Sequence, residues 1–141
     1  MRNLVLILAL ALLVPAAAAA AADSLTITVG GVRSDKGSVR AAVYEEAGFL
    51  DPTKMRGQAM AKAAAAEVRV AVANLPPGRY AVVAFHDEND NGKLDRNAMN
   101  VPIEGYGFSN DARGNFGPPK FSAAAFVFDA QHAAIKLELD Y

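Results

Sequence analysis

EVRVAVANLPPGRYAVVAFHD, residues 67–87, joins two strand patterns of different kinds through one turn. Val68, Val70 and Val72 alternate with Glu67, Arg69 and Ala71. One face is therefore apolar and the other mostly polar, as in a half-buried β-strand. Asn74-Leu75-Pro76-Pro77-Gly78 reads as a turn in which Pro77 presets the first central position and Gly78 is expected to take positive φ at the second. Leu75 and Tyr80 are expected to pack on either side of it. Ala81 to Phe85 is almost continuously apolar, which predicts a central strand covered on both faces.

The same period of two recurs on either side. Leu25, Ile27 and Val29 alternate with Thr26 and Thr28, and Gly30-Gly31 permits a bulge. Val39, Ala41 and Val43 form a second strand, expected to be the hairpin partner of the first across the polar turn 33–37. Phe49 and Leu50 are expected to plug one end of the core. Residues 55–66 combine Ala with alternating Gln58, Met60 and Lys62, read as a weak edge strand after a short helical turn. Residues 121–128 and 133–141 read as a last hairpin, with Ile135, Leu137 and Leu139 alternating against Lys136, Glu138 and Asp140. About seven short one-sided strands with no long helix predict an all-β fold, an antiparallel two-sheet sandwich, because each strand needs a second sheet to cover its apolar face. A membrane barrel would need apolar outward faces on every strand, and Thr26, Thr28 and Arg69 do not supply them.

Arg2 followed by an apolar run from Leu4 to Ala22, with Ala-x-Ala choices after Pro15, is the pattern of a secretory signal peptide. Cleavage between Ala18 and Asp23 is expected, leaving one domain over residues 23–141, periplasmic or secreted, with no integral membrane span. Loss of Arg2 would take the formal net charge from −1 to −2, too small a charge to suggest nucleic acid. The absence of cysteine removes disulfides, and with two histidines far apart it also argues against zinc.

Chemistry concentrates in residues 86–120. Asp87, Asn89, Asn91, the Lys93 carbonyl and Asp95 stand at positions one, three, five, seven and nine of a calcium-loop pattern, with Gly92 at the sharp bend. Ca2+ takes six to eight oxygens, and alternate residues of a tight turn can point theirs inward. Position twelve is Ala98 rather than a bidentate Glu, so Glu104 or Asp111 would have to complete the set. The competing reading is an Asx-rich turn in which the same side chains bond their own backbone. Tyr106, Phe108 and Asn110, set among glycines, read either as an aromatic contact surface or as a cap on the open end of the sandwich. His86, Asp87 and Glu104 permit a small hydrolase if they converge in one pocket. His86 alone reads as a packed brace at a strand end, and Ser109 and Ser122 lack the turn of an activated nucleophile.

LPPGRY followed by a strand resembles the turn of transthyretin-like (prealbumin-like) sandwich modules. HDENDNGKLD, PIEGYGFSNDA, the step Pro118-Pro119-Lys120-Phe121, the strand AAFVF and VRSDKGSVRAAVY near the start together resemble the DUF2141 family of exported bacterial proteins. That resemblance spans residues 23–141 and implies an Ig-like or prealbumin-like sandwich and export, without an activity. The sequence therefore predicts a non-catalytic binding or structural module of the envelope. Its partner would be another envelope protein, a glycan or a small ligand.

Overall fold

The computed structural model describes residues 23–141, and the signal-peptide segment 1–22 lies outside them. Eight strands form two sheets. The smaller is ordered β4-β1-β8, from β4 (Ala66–Val72), β1 (Leu25–Val32) and β8 (Ala134–Glu138). The larger runs β3 (Gly57–Lys62), β2 (Ser38–Tyr44), β5 (Gly78–Asp87), β6 (Tyr106–Phe108), and β7 (Phe126–Phe128) pairs with the start of β5. Among the described residues no helix is long and apolar enough to cross a membrane.

The alternation seen in the sequence is the core. Leu25, Ile27 and Val29 of β1, Val39 and Val43 of β2, and Val82 and Ala84 of β5 are all fully buried between the sheets. Val68, Val70 and Val72 face the same layer from β4. The bulge falls where two glycines stand, between Gly30 and Val32, with Gly31 at φ +72°. The edge strand expected within residues 55–66 is β3, Gly57–Lys62, and the helical turn expected before it falls earlier, at Pro52–Lys54. Phe49 packs against a second, smaller cluster of Ala81, Phe108, Phe121 and Ala124 on the outer face of β5, whereas Leu50 is exposed.

Three local expectations are corrected. β1 and β2 are not a hairpin: β1 pairs with β4 and β8, while β2 pairs with β3 and β5. The turn 33–37 thus carries the chain from one sheet to the other, so the two one-sided strands cover each other across the core instead of side by side. The last hairpin also dissolves. Phe121–Ala124 is a helical turn (α1), β7 pairs with β5, and β8 lies parallel to β1. Asp129 Oδ1 accepts from the Gln131 and His132 amides at 2.9 Å and turns the chain away to the other sheet. Finally, positive φ at the LPPGRY turn belongs to Asn74 (φ 57°), not Gly78. A Cβ on Gly78 would stand 3.1 Å from the Tyr80 hydroxyl, so glycine here makes room for the ring.

Leu75 and Tyr80 are each 1% exposed. The Tyr80 hydroxyl donates to the Pro76 carbonyl at 2.7 Å, closing the turn, and its ring meets Phe128 edge-on. Tyr80→Phe should keep the ring packing and lose this bond. We expect destabilisation of about 1 kcal/mol by urea unfolding; an unchanged midpoint would show that the bond does not hold the turn.

Candidate functional site

β5 delivers two neighbouring polar side chains to opposite faces. Pairing of Val39 with His86 and of Ser38 with Asp87 places His86 on the core face and Asp87 on the outer face of the larger sheet. Both are fully buried.

Asp87 anchors the turn that follows. Its Oδ2 accepts from Arg40 Nε at 2.6 Å and from the Gly92 amide at 2.7 Å, and its Oδ1 from the Asn91 amide at 3.0 Å. A buried carboxylate needs this many donors to offset its lost hydration. Asn89 and Asn91 close successive Asx turns, Oδ1 accepting from the Asn91 and Lys93 amides at 3.1 and 2.9 Å. Their amide nitrogens converge on Asp95, Asn89 at 2.7 Å and Asn91 at 2.8 and 3.0 Å. Asp90 and Gly92 take positive φ, 55° and 80°, which lets the backbone curl around these groups.

Glu104 closes this turn. It is 4% exposed, and its Oε1 accepts from the Glu88 amide at 2.9 Å while Oε2 accepts from the Asp95 amide at 3.0 Å. It thus clamps the two ends of the turn through backbone donors. Asp111 goes elsewhere, accepting from the Glu138 amide at 2.8 Å. Among the described residues no three His, Cys, Asp or Glu side chains come together as a metal-binding group. The turn gathers two amide side chains, the Asp95 carboxylate and, beneath them, Asp87.

On the core face, His86 is held at both ring nitrogens. Nε2 lies 2.7 Å from the Lys36 carbonyl, so it carries the proton, and Nδ1 accepts from the Tyr141 hydroxyl at 2.7 Å. The same hydroxyl accepts from the Arg33 amide at 3.1 Å. Burial raises the Tyr141 phenol above its ordinary value, which keeps it the donor. The Arg33 guanidinium lies over the Tyr141 ring at 4.2 Å and grips Glu88 by two bonds, at 2.7 and 2.6 Å. His86, Asp87 and Glu104 therefore each bond to different partners, not to one another. The hydrolase arrangement would require the opposite.

The Arg33 bonds hold the Glu88 carboxyl below the usual range, against a smaller opposing effect of burial. A carboxylate with a depressed folded pKa stabilises the protein above its unfolded value, and that contribution is lost as pH falls through the folded one. Glu88→Gln should therefore cost up to about 1 kcal/mol at neutral pH, with the difference from the parent shrinking below about pH 4. Paired urea melts across that window check it; a constant difference would mean that the loss is not electrostatic.

The Tyr106–Asn110 segment is mainly a cap. Phe108 is 6% exposed and packs edge-on against Phe49 and Tyr106 with ring centroids 6.3 and 6.1 Å apart. It cannot serve as an exposed contact ring. Tyr106 is half-buried, pairing with Phe85 on the sheet. The exposed Asn110 donates to the Ala125 carbonyl at 2.9 Å. Between them Ser109, fully buried, accepts from the Val82 amide at 2.9 Å and donates to the Ala124 carbonyl at 2.5 Å. Sequence reasoning missed Ser109, Arg40 and Tyr141 as braces of this region. Ser109 and Arg40 stand in stretches that carry the family resemblance, but each of the three acts on a partner far along the chain, which no local pattern announces.

The family described as "Uncharacterized protein conserved in bacteria" (DUF2141) matches residues 27–136. The chain belongs to the DUF2141 family. No curated protein and no solved structure is significantly similar to it. The matched span runs from β1 to β8 and so takes in both sheets, the Asp87 turn and Glu104. The family description names no activity.

Proposed function

We propose that this DUF2141 protein is an exported, non-catalytic binding module of the envelope whose Asp87–Asp95 turn is a Ca2+ site of modest affinity. The observation that carries the reading is that Asn89, Asn91 and Asp95 crowd one turn above the buried Asp87, the two amide NH2 groups donating to the Asp95 carboxylate at 2.7–3.0 Å, the place that an ion would take over from them. An amide oxygen has two lone pairs. Each Asn Oδ1 uses one in its turn and keeps the other for a cation, and Asp95 supplies charge. Glu104 contributes by fixing both ends of the turn rather than as a ligand.

Arg40 already neutralises Asp87 from one side, so the ion meets only one uncompensated carboxylate, and affinity falls in the millimolar to tens-of-micromolar range of extracellular sites. The export reading rests on the leader-like residues 1–22. The expected result is a melting temperature that rises with Ca2+ up to about 10 mM and heat on calorimetric titration. Asp95→Asn should reduce both. No heat and no shift at that concentration would leave the turn as a self-sufficient Asx structure, with no ion.

A further inference from the structure

The outer face of a sandwich sheet is ordinarily polar, because it faces water. The larger sheet departs from this. Its outer face presents Ala42, Val83 and Phe85, all half-buried, between Met60 on the edge strand and Met55 and Pro52 on the preceding turn. The second cluster covers the Ala81 end of β5 and packs against one side of Val83. The rest is a groove of about 470 Å³, closed at its other side by Gly92 of the Asp87 turn, within the size range of small-molecule sites.

A second concavity of about 550 Å³ adjoins it, since Arg40 and Met60 line both. Its lining is of another kind: Arg40, Lys62, Asp90 and Ser38. Among the described residues only the Nε of Arg40 is hydrogen-bonded, to Asp87 at 2.6 Å, so both terminal guanidinium nitrogens are left for another acceptor. Ser38 is 5% exposed, and its hydroxyl is a buried side-chain group with no hydrogen-bond partner. Such a group calls for a missing partner. With Arg40 paired to Asp87 and Asp90 set against Lys62, the charges balance, and what the concavity offers an anion is directed donors: the two free Arg40 nitrogens, the Lys62 ammonium and the Ser38 hydroxyl.

We propose that these two concavities form one binding site for a small amphipathic carboxylate. Its apolar body lies on Val83 and Phe85, and its anionic head is held by Arg40 and Lys62 and accepts from the Ser38 hydroxyl. A bidentate guanidinium–carboxylate contact at the junction fixes the orientation, with the head toward Lys62 and the tail toward Met55. The turns that rim the apolar half make the face concave. A second copy of the same sheet, concave in the same place, would not fill it. The site borders the Asp87 turn through Gly92 and Asp90, but none of the groups that hold the carboxylate is a proposed cation ligand, so titration in the presence of a chelator tests it apart from the cation reading.

Dodecanoate, kept below its micelle concentration, is the probe, with dodecyltrimethylammonium as the same tail bearing the opposite charge. Calorimetry should give saturable one-to-one binding of dodecanoate and none of the ammonium compound. Lys62→Gln should weaken binding about threefold, Ser38→Ala about three- to tenfold, and Met60→Glu about tenfold or more through repulsion of the head. Arg40 is left in place because its removal would strand the buried Asp87. Absence of saturable dodecanoate binding would overturn the proposal. So would equal binding of the two detergents, or affinity unchanged in both Lys62→Gln and Ser38→Ala. Sedimentation velocity adds a last check: a dimer that Met60→Glu dissociates would show that a second copy covers the face.

Discussion

Gly37→Ala is expected to destabilise the protein by about 3 kcal/mol or more, because an added Cβ meets its neighbour more closely here than at any other glycine. Gly37 sits at φ +66°, and a Cβ there would stand 1.9 Å from the Asp87 carbonyl oxygen and 2.8 Å from the Glu88 Cα. Both neighbours are backbone, so no side chain can swing aside. Relief would require moving the end of β5, and with it the Asp87 carboxylate on Arg40 and the His86 ring on the Lys36 carbonyl. Gly92→Ala provides the control. Gly92 has φ +80° but nothing within 4 Å of its virtual Cβ, so it should show only the backbone cost of about 1 kcal/mol. Urea unfolding of the two variants separates steric from conformational cost; equal losses would refute the close approach of β5 to the Gly37 turn.

Glu104→Gln is expected to cost about 2–3 kcal/mol despite its near-identical shape. The carboxylate accepts two backbone bonds, one from each end of the Asp87 turn, from a position 4% exposed. A carboxamide has one acceptor oxygen and places an NH2 group against a second N–H donor. One of the Glu88 and Asp95 amides is then left facing a donor in a buried setting, where an unmade hydrogen bond carries its full desolvation penalty. Hydrogen exchange makes the test local. Protection should fall at Glu88 and Asp95 while the amides of the β1–β4 ladder lose only what the global stability loses. A uniform loss would mean that Glu104 supports the whole sandwich rather than the turn. The same variant bears on the cation reading, since a loosened turn should also weaken any Ca2+-induced melting shift.

Much of the fold was legible in the sequence, for reasons visible at particular residues. Leu25-x-Ile27-x-Val29 and Val68-x-Val70-x-Val72 declare their buried faces because a strand's side chains alternate with a period of two, and all six are in the core. Gly30-Gly31 marked the bulge. What alternation does not carry is the identity of the neighbour. It led to hairpins between β1 and β2 and between the last two segments, where the chain instead crosses between sheets and β8 lies parallel to β1.

The candidate site divides in the same way. The local pattern Asp87, Asn89, Asn91, Asp95 was readable because ligand-like and Asx-turn geometry both arise within a few residues. That Glu104 reaches back to the turn was an open question in the sequence, and its answer, a clamp on the Glu88 and Asp95 amides, needed coordinates.

By itself, the amino-acid sequence determined that this is an all-β DUF2141 chain with one-sided strands and an Asn- and Asp-rich turn after its central strand. Periodicity and turn chemistry are local, and local interactions declare them. Only the tertiary structure decided which strands share a sheet and that Arg40 neutralises Asp87. It also decided that Tyr141 and Lys36 hold His86, and that Val83 and Phe85 line a groove beside Ser38 and Lys62. Each of these is a meeting of residues distant along the chain, fixed by packing two sheets against one core, and no local pattern encodes such a meeting.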